Sequence, residues 1–501
     1  MPAITLSMIV KNEEKYLRDC LESVKDVVDE IVIVDTGSTD STIEIAQVYN
    51  AKIFHFDWIN DFSAARNFAL EQSTGDWILY LDADERLVKS SHDELKKIIS
   101  GDQKLGYYCV VNNIDTYTGR TNVMRNTRLF RNQPEIKFTG KVHEQIVPSL
   151  IENKYKLINC SIVIDHVGYN IPTDGKKKKA ERNLAILLNQ FERDKHPYDA
   201  YQLGNTYTII DEYEQALHYF KISSDDKRLN KTLRADSYTS MAFIYHSIGK
   251  GTEAEKSIEQ SRLINSNNPY ASYLSSKIKL QKGSLAASLT ECKNSLALNS
   301  KQSNLQIESE LSCLVDEEEI IFYGISLGLL SKSIDGVKHF VEKLLSFYQK
   351  EYPADSELRI KIIQKLLGGL SLDPMEVKLF RETTNDKNIS LFTSLVAASK
   401  DNHQREELSK FLLEKYPQMI DVLKLRANIL AEENRAKDAM LLLENNIELL
   451  DAGGYLFLIS CAVQLGDSGK IIYYLQKLEA ISNVPESVLH KITSIKKLLG
   501  L

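Results

Sequence analysis

Hydrophobic residues change their period once along this chain. From Ile4 to about Gly168 short apolar runs alternate with helical segments, and beyond about Thr173 nearly everything repeats at the helical period. Residues 4–10 form an apolar run that reads as a strand, and the helix after it carries Tyr16, Leu17, Cys20, Leu21 and Val24 on one face. A second strand over 31–34 breaks at Asp35-Thr36-Gly37-Ser38-Thr39-Asp40, where Ser41-x-x-Glu44 has the form of a capping box opening the next helix. Runs at 52–56 and 77–81 continue the alternation. Strands and helices alternating through short links imply parallel strands joined by right-handed crossovers.

The run at 77–81 ends in Asp82-Ala83-Asp84. In extended backbone that spacing points both carboxylates to one side, where mutual repulsion makes the pair a seat for a hard divalent cation able to neutralise phosphate oxygens. The plainer alternative is a polar turn after a buried strand. Ligands of such sheets bind outside the carboxyl ends of the strands, which brings Asn12-Glu13, residues 35–40 and residues 82–84 to one edge. Neither a G-x-G-x-x-G turn nor a G-x-x-x-x-G-K-S/T loop is present, so a nucleotide here would be held by carboxylates and a metal.

Further strand-like runs lie at 107–111 and 162–164, and Arg125, Arg128 and Arg131 recur every three residues, a spacing that reads as the solvation of a face. His143-Glu144 and Asp165-His166 each set a histidine beside a carboxylate near a strand end, as a metal ligand or as a structural pair.

Composition narrows the setting. The 501 residues are 43% hydrophobic and 26% charged, which describes a folded chain long enough for several cores. A net charge of −7 offers no general attraction for nucleic acid or anionic lipid. No stretch reaches the ~18 to 20 apolar residues that span a bilayer, and the start has no basic flank or small-residue cleavage site. Six scattered cysteines with no C-x-x-C pair fit reduced thiols, so a cytoplasmic protein is expected.

Four motifs in order carry a resemblance: Ser7-Met8-Ile9-Val10-Lys11-Asn12-Glu13-Glu14, Ile33-Val34-Asp35-Thr36-Gly37-Ser38-Thr39-Asp40-Ser41-Thr42, Phe62-Ser63-Ala64-Ala65-Arg66-Asn67-Phe68-Ala69 and Leu81-Asp82-Ala83-Asp84-Glu85. Together they resemble the family 2 glycosyltransferases of GT-A fold, an α/β domain with a Rossmann-like mixed sheet. The similarity covers about the first 170 residues. It points to the branch that includes lipopolysaccharide-core glucosyltransferases and bacterial peptide S-glycosyltransferases of the sublancin type. The resemblance implies a nucleotide-sugar donor, a UDP-sugar first, and Mn²⁺ or Mg²⁺. By the same resemblance Glu13 and Asp35 hold the base and ribose, Arg66 lies near the nucleotide or diphosphate, and Asp82 belongs to the donor site. Asp84 is then the metal ligand, joined by His166. Members usually invert the anomeric centre with an Asp or Glu as base, and Glu144 is the candidate, although the Glu-Asp dipeptide of some members is missing here.

In the helical half, Leu203-Gly204-x-x-Tyr207 followed by Ala216 and Phe220 has the spacing of a tetratricopeptide (TPR) unit. Ala242, Tyr245, Ala254 and Ile258 repeat it, Leu274 and Ala287 echo it, and Ala427, Leu430, Ala439 and Leu443 restate it. Residues 176–179, four lysines, read as a solvated linker end before a helix opening near Ala180. The expected organisation is a GT-A domain over 1–172, a linker helix over 173–200, TPR-like repeats over 201–300, degenerate helical repeats over 301–420 and TPR-like helices over 421–501. The whole is thus an α/β domain followed by an all-α TPR-like solenoid. Such an array suits holding a polypeptide acceptor, or pairing two copies as a homodimer. A glycan acceptor in envelope polysaccharide assembly is the rival reading, and a non-catalytic scaffold the other.

Overall fold

A computed structural model describes residues 2–100, 104–115, 120–168, 173–303, 315–351, 356–386, 388–481 and 492–497. The chain folds as two compact units, one of Met1–Ile244, Ser257–Tyr270 and Leu298–Val315, the other of Tyr245–Lys256, Ala271–Ala297 and Asp316–Leu501.

The first unit opens with β1 (Ile4–Val10), α1 (Leu17–Val24), β2 (Glu30–Asp35), α2 (Thr42–Val48), β3 (Lys52–His55), α3 (Phe62–Gln72) and β4 (Trp77–Tyr80). It continues with β5 (Glu85–Leu87), α4 (His92–Ile99), β6 (Leu105–Asp115), β7 (Arg120–Arg131), α5 (Val147–Glu152) and β8 (Lys156–His166). All strands join one sheet in the order β3-β2-β1-β4-β7-β6-β8-β5. The first four are parallel as the alternation predicts, and β7 then enters antiparallel to β4, so the sheet is mixed.

Both faces of β1 and β4 are covered, which is why β4 reads as an unbroken apolar run and β1 as one interrupted only by Thr5 and Ser7. Ile4, Leu6, Met8 and Val10 pack with Leu17, Cys20, Leu21 and Val24 in one core layer, while Ile78, Tyr80, Phe130 and Phe138 form another. Five cysteines are buried and free, and Cys313 lies outside the described residues.

Three local expectations change. Ser41 makes no side-chain cap; Asp40 takes that role, its Oδ1 accepting from the Thr42 amide at 3.0 Å and the Thr42 hydroxyl at 2.5 Å. The lysines at 176–179 do not precede a helix, because α6 (Thr173–Asp194) has already begun. Arg125 and Arg128 do not solvate a face: they lie within β7 and are buried.

Helices α7 (Pro197–Ile209) and α8 (Tyr213–Asp225) form the pair that the TPR spacing predicts. A Cβ on Gly204 would stand 2.6 Å from the Phe220 ring, so glycine is what lets the two helices close, and Tyr207 stacks on Tyr219 at 5.6 Å. Helices α9 (Lys231–Ser247), α10 (Gly251–Ile264), α11 (Pro269–Gln281) and α12 (Leu285–Ser303) follow. In the second unit, α13 (Glu317–Leu330) and α14 (Ile334–Glu351) repeat the same approach, with Gly324 against Phe340. Ala427, Leu430, Ala439 and Leu443 share one core near the C-terminus. Among the described residues no helix is long and apolar enough to cross a membrane.

Candidate active site

A cavity of about 1730 Å³ opens at the carboxyl ends of β1 and β4 and is walled on other sides by β7, the loop around Glu144, α6 and α7. Its lining holds Glu13, Arg66, Asp82, Asp84, His143, Glu144 and His166. Asp35 is not part of that lining. Its carboxylate accepts from the amides of Gly37 (3.1 Å) and Ser38 (3.0 Å), which closes the turn after β2, where Gly37 has φ +102°. Asn12, at φ +56°, ties this turn to the end of β1, its Oδ1 accepting from the Thr39 amide at 2.7 Å.

The two aspartates expected to share a cation line the same cavity but have different partners. β4 stops at Tyr80, and the chain turns through Ala83 and Asp84, with the Glu85 amide bonded to the Asp82 carbonyl at 3.0 Å. The backbone is therefore not extended there, and the two side chains follow the turn instead of one strand face. The Asp82 Oδ1 receives Arg66 Nη2 at 2.6 Å, and Arg128 Nη2 stands 3.8 Å from Oδ2. Burial works against the Asp82 charge, but the two guanidiniums outweigh it and hold the carboxyl well below the usual range.

Arg66, on α3, also donates from Nε to Glu144 Oε1 at 2.5 Å, so one buried cation binds both acids. Arg128 donates to Glu85 Oε1 at 2.5 Å, while Glu85 Oε2 accepts from the Asp82 amide at 3.0 Å. Burial pushes the Glu85 carboxyl upward despite that arginine. The Tyr80 ring lies against both guanidiniums, with centroid distances of 5.2 Å to Arg66 and 4.5 Å to Arg128. Acids and arginines thus alternate from Glu85 through Arg128, Asp82 and Arg66 to Glu144. Arg128 can reach this chain because of an irregularity: Tyr107 pairs with Leu129 and Tyr108 with Thr127, which leaves Arg128 as the extra residue of a bulge.

Asp84 pairs with a histidine instead. Its Oδ2 is 3.3 Å from His166 Nε2, because β5 pairs with β8 and sets Glu85 opposite His166. His166 Nδ1 lies 2.8 Å from Asn113 Oδ1. An amide oxygen there takes the Nδ1 hydrogen, which turns the Nε2 lone pair of the neutral ring toward Asp84. Burial disfavours the charged ring, yet the Asp84 carboxylate outweighs it and the His166 pKa is raised. The segment after β8 runs so close that a Cβ on Gly168 would fall 1.7 Å from Asp84 Oδ2. Tyr169 lies outside the described residues.

A carboxylate and an oriented imidazole suit Mn²⁺ or Mg²⁺, provided that the remaining positions are filled by phosphate oxygens and water. Among the described residues no group of three or more His, Cys, Asp or Glu is placed to hold a metal alone. His143, at φ +55° on its loop, is not part of the Asp84–His166 pair. The sequence pattern missed Arg128 and Glu85 as parts of the site. It also missed Tyr198 and Gln190, whose only signal was polarity within the first repeat helices.

A mixed sheet with acids and arginines gathered at one strand edge, followed by paired helices, defines an α/β domain joined to a TPR-like array. Residues 5–167 match the model of Glycosyl transferase family 2. A TPR repeat-containing protein of Synechococcus elongatus is 41% identical over 207 residues, 40% of this chain and 50% of that protein. The SPbeta prophage-derived glycosyltransferase SunS of Bacillus subtilis is 32% identical over 234 residues, 46% of this chain and 55% of SunS. The chain therefore spans about half the length of these relatives. Among solved structures, a tetratricopeptide repeat protein from Parabacteroides merdae aligns with 60% of this chain and 98% of its own, at 12% identity and a TM-score of 0.38.

Proposed function

We propose that this protein is a metal-dependent, inverting glycosyltransferase that moves a sugar from a nucleotide donor, a UDP-sugar first, to a protein or peptide acceptor. The observation that supports the reading best is the meeting, in one cavity, of the Asp84–His166 pair with the Arg66 clamp on Asp82 and Glu144. Asp84 and His166 would hold Mn²⁺ or Mg²⁺, which when bound supplies Lewis acidity to the departing diphosphate. Glu13 and Asp35 are assigned to the nucleoside, and Arg66 and Asp82 to the donor side of the site. Glu144 takes the proton of the attacking acceptor atom, with Arg66 fixing one carboxylate oxygen and leaving the other for the acceptor. The domain that follows favours a polypeptide acceptor, since stacked helix pairs make long binding surfaces. Five buried free cysteines favour a cytoplasmic setting. Pairing of two copies through the helices remains part of the proposal.

The test is nucleoside diphosphate release from UDP-glucose, UDP-galactose, UDP-N-acetylglucosamine and GDP-mannose, with Mn²⁺ or with chelator. One donor should turn over only with metal. Asp84→Ala should abolish that turnover, and Glu144→Gln should keep nucleotide binding while stopping transfer. Labelled sugar should enter polypeptide. Label in a lipid-soluble fraction would shift the acceptor to a glycan, and no turnover of any donor would leave a scaffold.

A further inference from the structure

The loop that carries Glu144 is built from the sheet domain but anchored by helices of the repeat region. Thr139 and Gln145 close its base through two backbone bonds of 2.9 and 2.8 Å. Between them the chain takes left-handed conformations at Gly140 (φ +92°) and His143 (φ +55°), the second on a residue with a side chain, so the shape is held from outside. Four contacts do this. The Phe62 amide of α3 bonds the Lys141 carbonyl at 2.9 Å. From α6, Gln190 Oε1 accepts from the Lys141 amide at 2.8 Å, while its Nε2 donates to Asp199 of α7 at 2.5 Å. Val142 is buried with Leu187, Phe191, Ala200 and Leu203 of the same two helices.

The fourth contact lies beside Glu144 itself. The hydroxyl of Tyr198, the second residue of α7, accepts from Gln145 Nε2 at 2.8 Å and from Gln202 Nε2 at 2.8 Å. Its own hydrogen points to the His143 carbonyl at 3.5 Å, and Gln145 Nε2 is 3.3 Å from that same oxygen. One phenol oxygen therefore grips the residues on both sides of Glu144. Arg66 fixes the Glu144 carboxylate, and Tyr198 holds the residues that flank it. Without the hydroxyl, the loop keeps its anchors at Lys141 and Val142 but loses the restraint nearest to the glutamate.

We propose that Tyr198 is a positioning residue for Glu144, so that the first helices of the repeat region are part of the catalytic apparatus and not an appended arm. This rests on the reading of Glu144 given above. Tyr198 never touches the substrate in this scheme. It sets where the proton-accepting oxygen stands.

Tyr198→Phe keeps the ring and removes only the hydroxyl. The readout is nucleoside diphosphate release from the best donor of the panel above, with Mn²⁺ and water as acceptor, alongside UDP affinity and the melting temperature. The expected result is a kcat lower by about 10- to 100-fold, the loss typical of a misplaced catalytic group, with donor KM, UDP affinity and melting temperature held. Retained kcat overturns the proposal. Parallel loss of kcat, affinity and melting temperature also overturns it, since the role would then be structural. In a Glu144→Asp background, where the carboxylate is already displaced, Tyr198→Phe should cost far less than in the native protein. Full, independent losses would mean that Tyr198 acts elsewhere while Glu144 keeps its role. A Glu144→Gln variant as active as the native protein would instead remove the role of Glu144 and the proposal with it.

Discussion

Gly168 decides where Asp84 can stand. A single methyl group at that position would coincide with the Asp84 carboxylate, whose Oδ2 lies 1.7 Å from the ideal Cβ, so one of the two must move. The Val167 amide, bonded to the Asp84 carbonyl at 3.0 Å, holds the backbones together and leaves the side chain to yield. Gly168→Ala should therefore break the Asp84–His166 geometry and weaken Mn²⁺ binding, measured by calorimetry, by about 10- to 100-fold, the scale seen when supporting groups of a metal site are disturbed. Unchanged affinity would mean that Asp84 is not a ligand. At this scale the sequence named the acids and set His166 with Asp84, but it gave no sign that Arg66 and Arg128 would bind Asp82. The two carboxylates were legible as chemistry because the ends of two other strands bring acidic and hydroxyl residues to the same edge. Their separation was not legible, because it depends on where β4 stops and on an arginine displaced by a bulge, and a bulge is a property of pairing between strands.

Between elements, the parallel half of the sheet is fastened at its amino-terminal edge by Glu30. The carboxylate takes Lys52 Nζ of β3 at 2.6 Å, the Thr74 amide and hydroxyl at 2.7 and 2.8 Å, and the Thr5 hydroxyl of β1. Burial would raise its pKa, yet these donors together bring it down to about 2 from an ordinary 4.5. A carboxylate depressed in the folded state stabilises fully above its unfolded value, and that contribution is lost as pH falls from about 4.5 toward 2. Glu30→Gln should thus lower denaturant stability at pH 7 by at most about 3 kcal/mol, with the deficit shrinking below pH 4.5. A deficit independent of pH would assign the effect to packing. Of the strands fastened here, β1 and β2 were legible because burial on both faces makes them mostly apolar. β6 runs longer than its apolar core suggested and β7 was not read as a strand, since Asn112, Asn113, Asn126 and Thr127 belong to them. Polar residues inside a strand break the pattern from which strands are read, and here several of them face the cavity or support His166.

At the scale of the molecule, one device recurs: a glycine on one helix that admits a phenylalanine from the next. Gly204 and Phe220 use it in the first unit, and Gly324 and Phe340 use it in the second at the same spacing, within a stretch whose sequence had read as a poor match. The repeat was hidden there because the surrounding small and large positions have drifted, while the one contact that closes the helix pair was kept. Stacked pairs of this kind bury their apolar faces against neighbours and leave an extended surface, which has a use only if something long lies on it. That gives the proposal for a polypeptide acceptor a consequence that the catalytic unit alone does not share. A chain ending at Val315 retains every segment of the first unit, including α6, α7 and the Glu144 loop, and loses most of the second. Water as acceptor needs only the cavity, whereas a polypeptide held at two places gains effective concentration from the second. The shortened chain should keep metal-dependent donor hydrolysis within about threefold while transfer of labelled sugar into polypeptide falls by about tenfold or more, on the scale of a lost second binding site. Equal loss of both activities would make the second unit a structural support, and equal retention would confine acceptor recognition to the cavity and the helices that wall it.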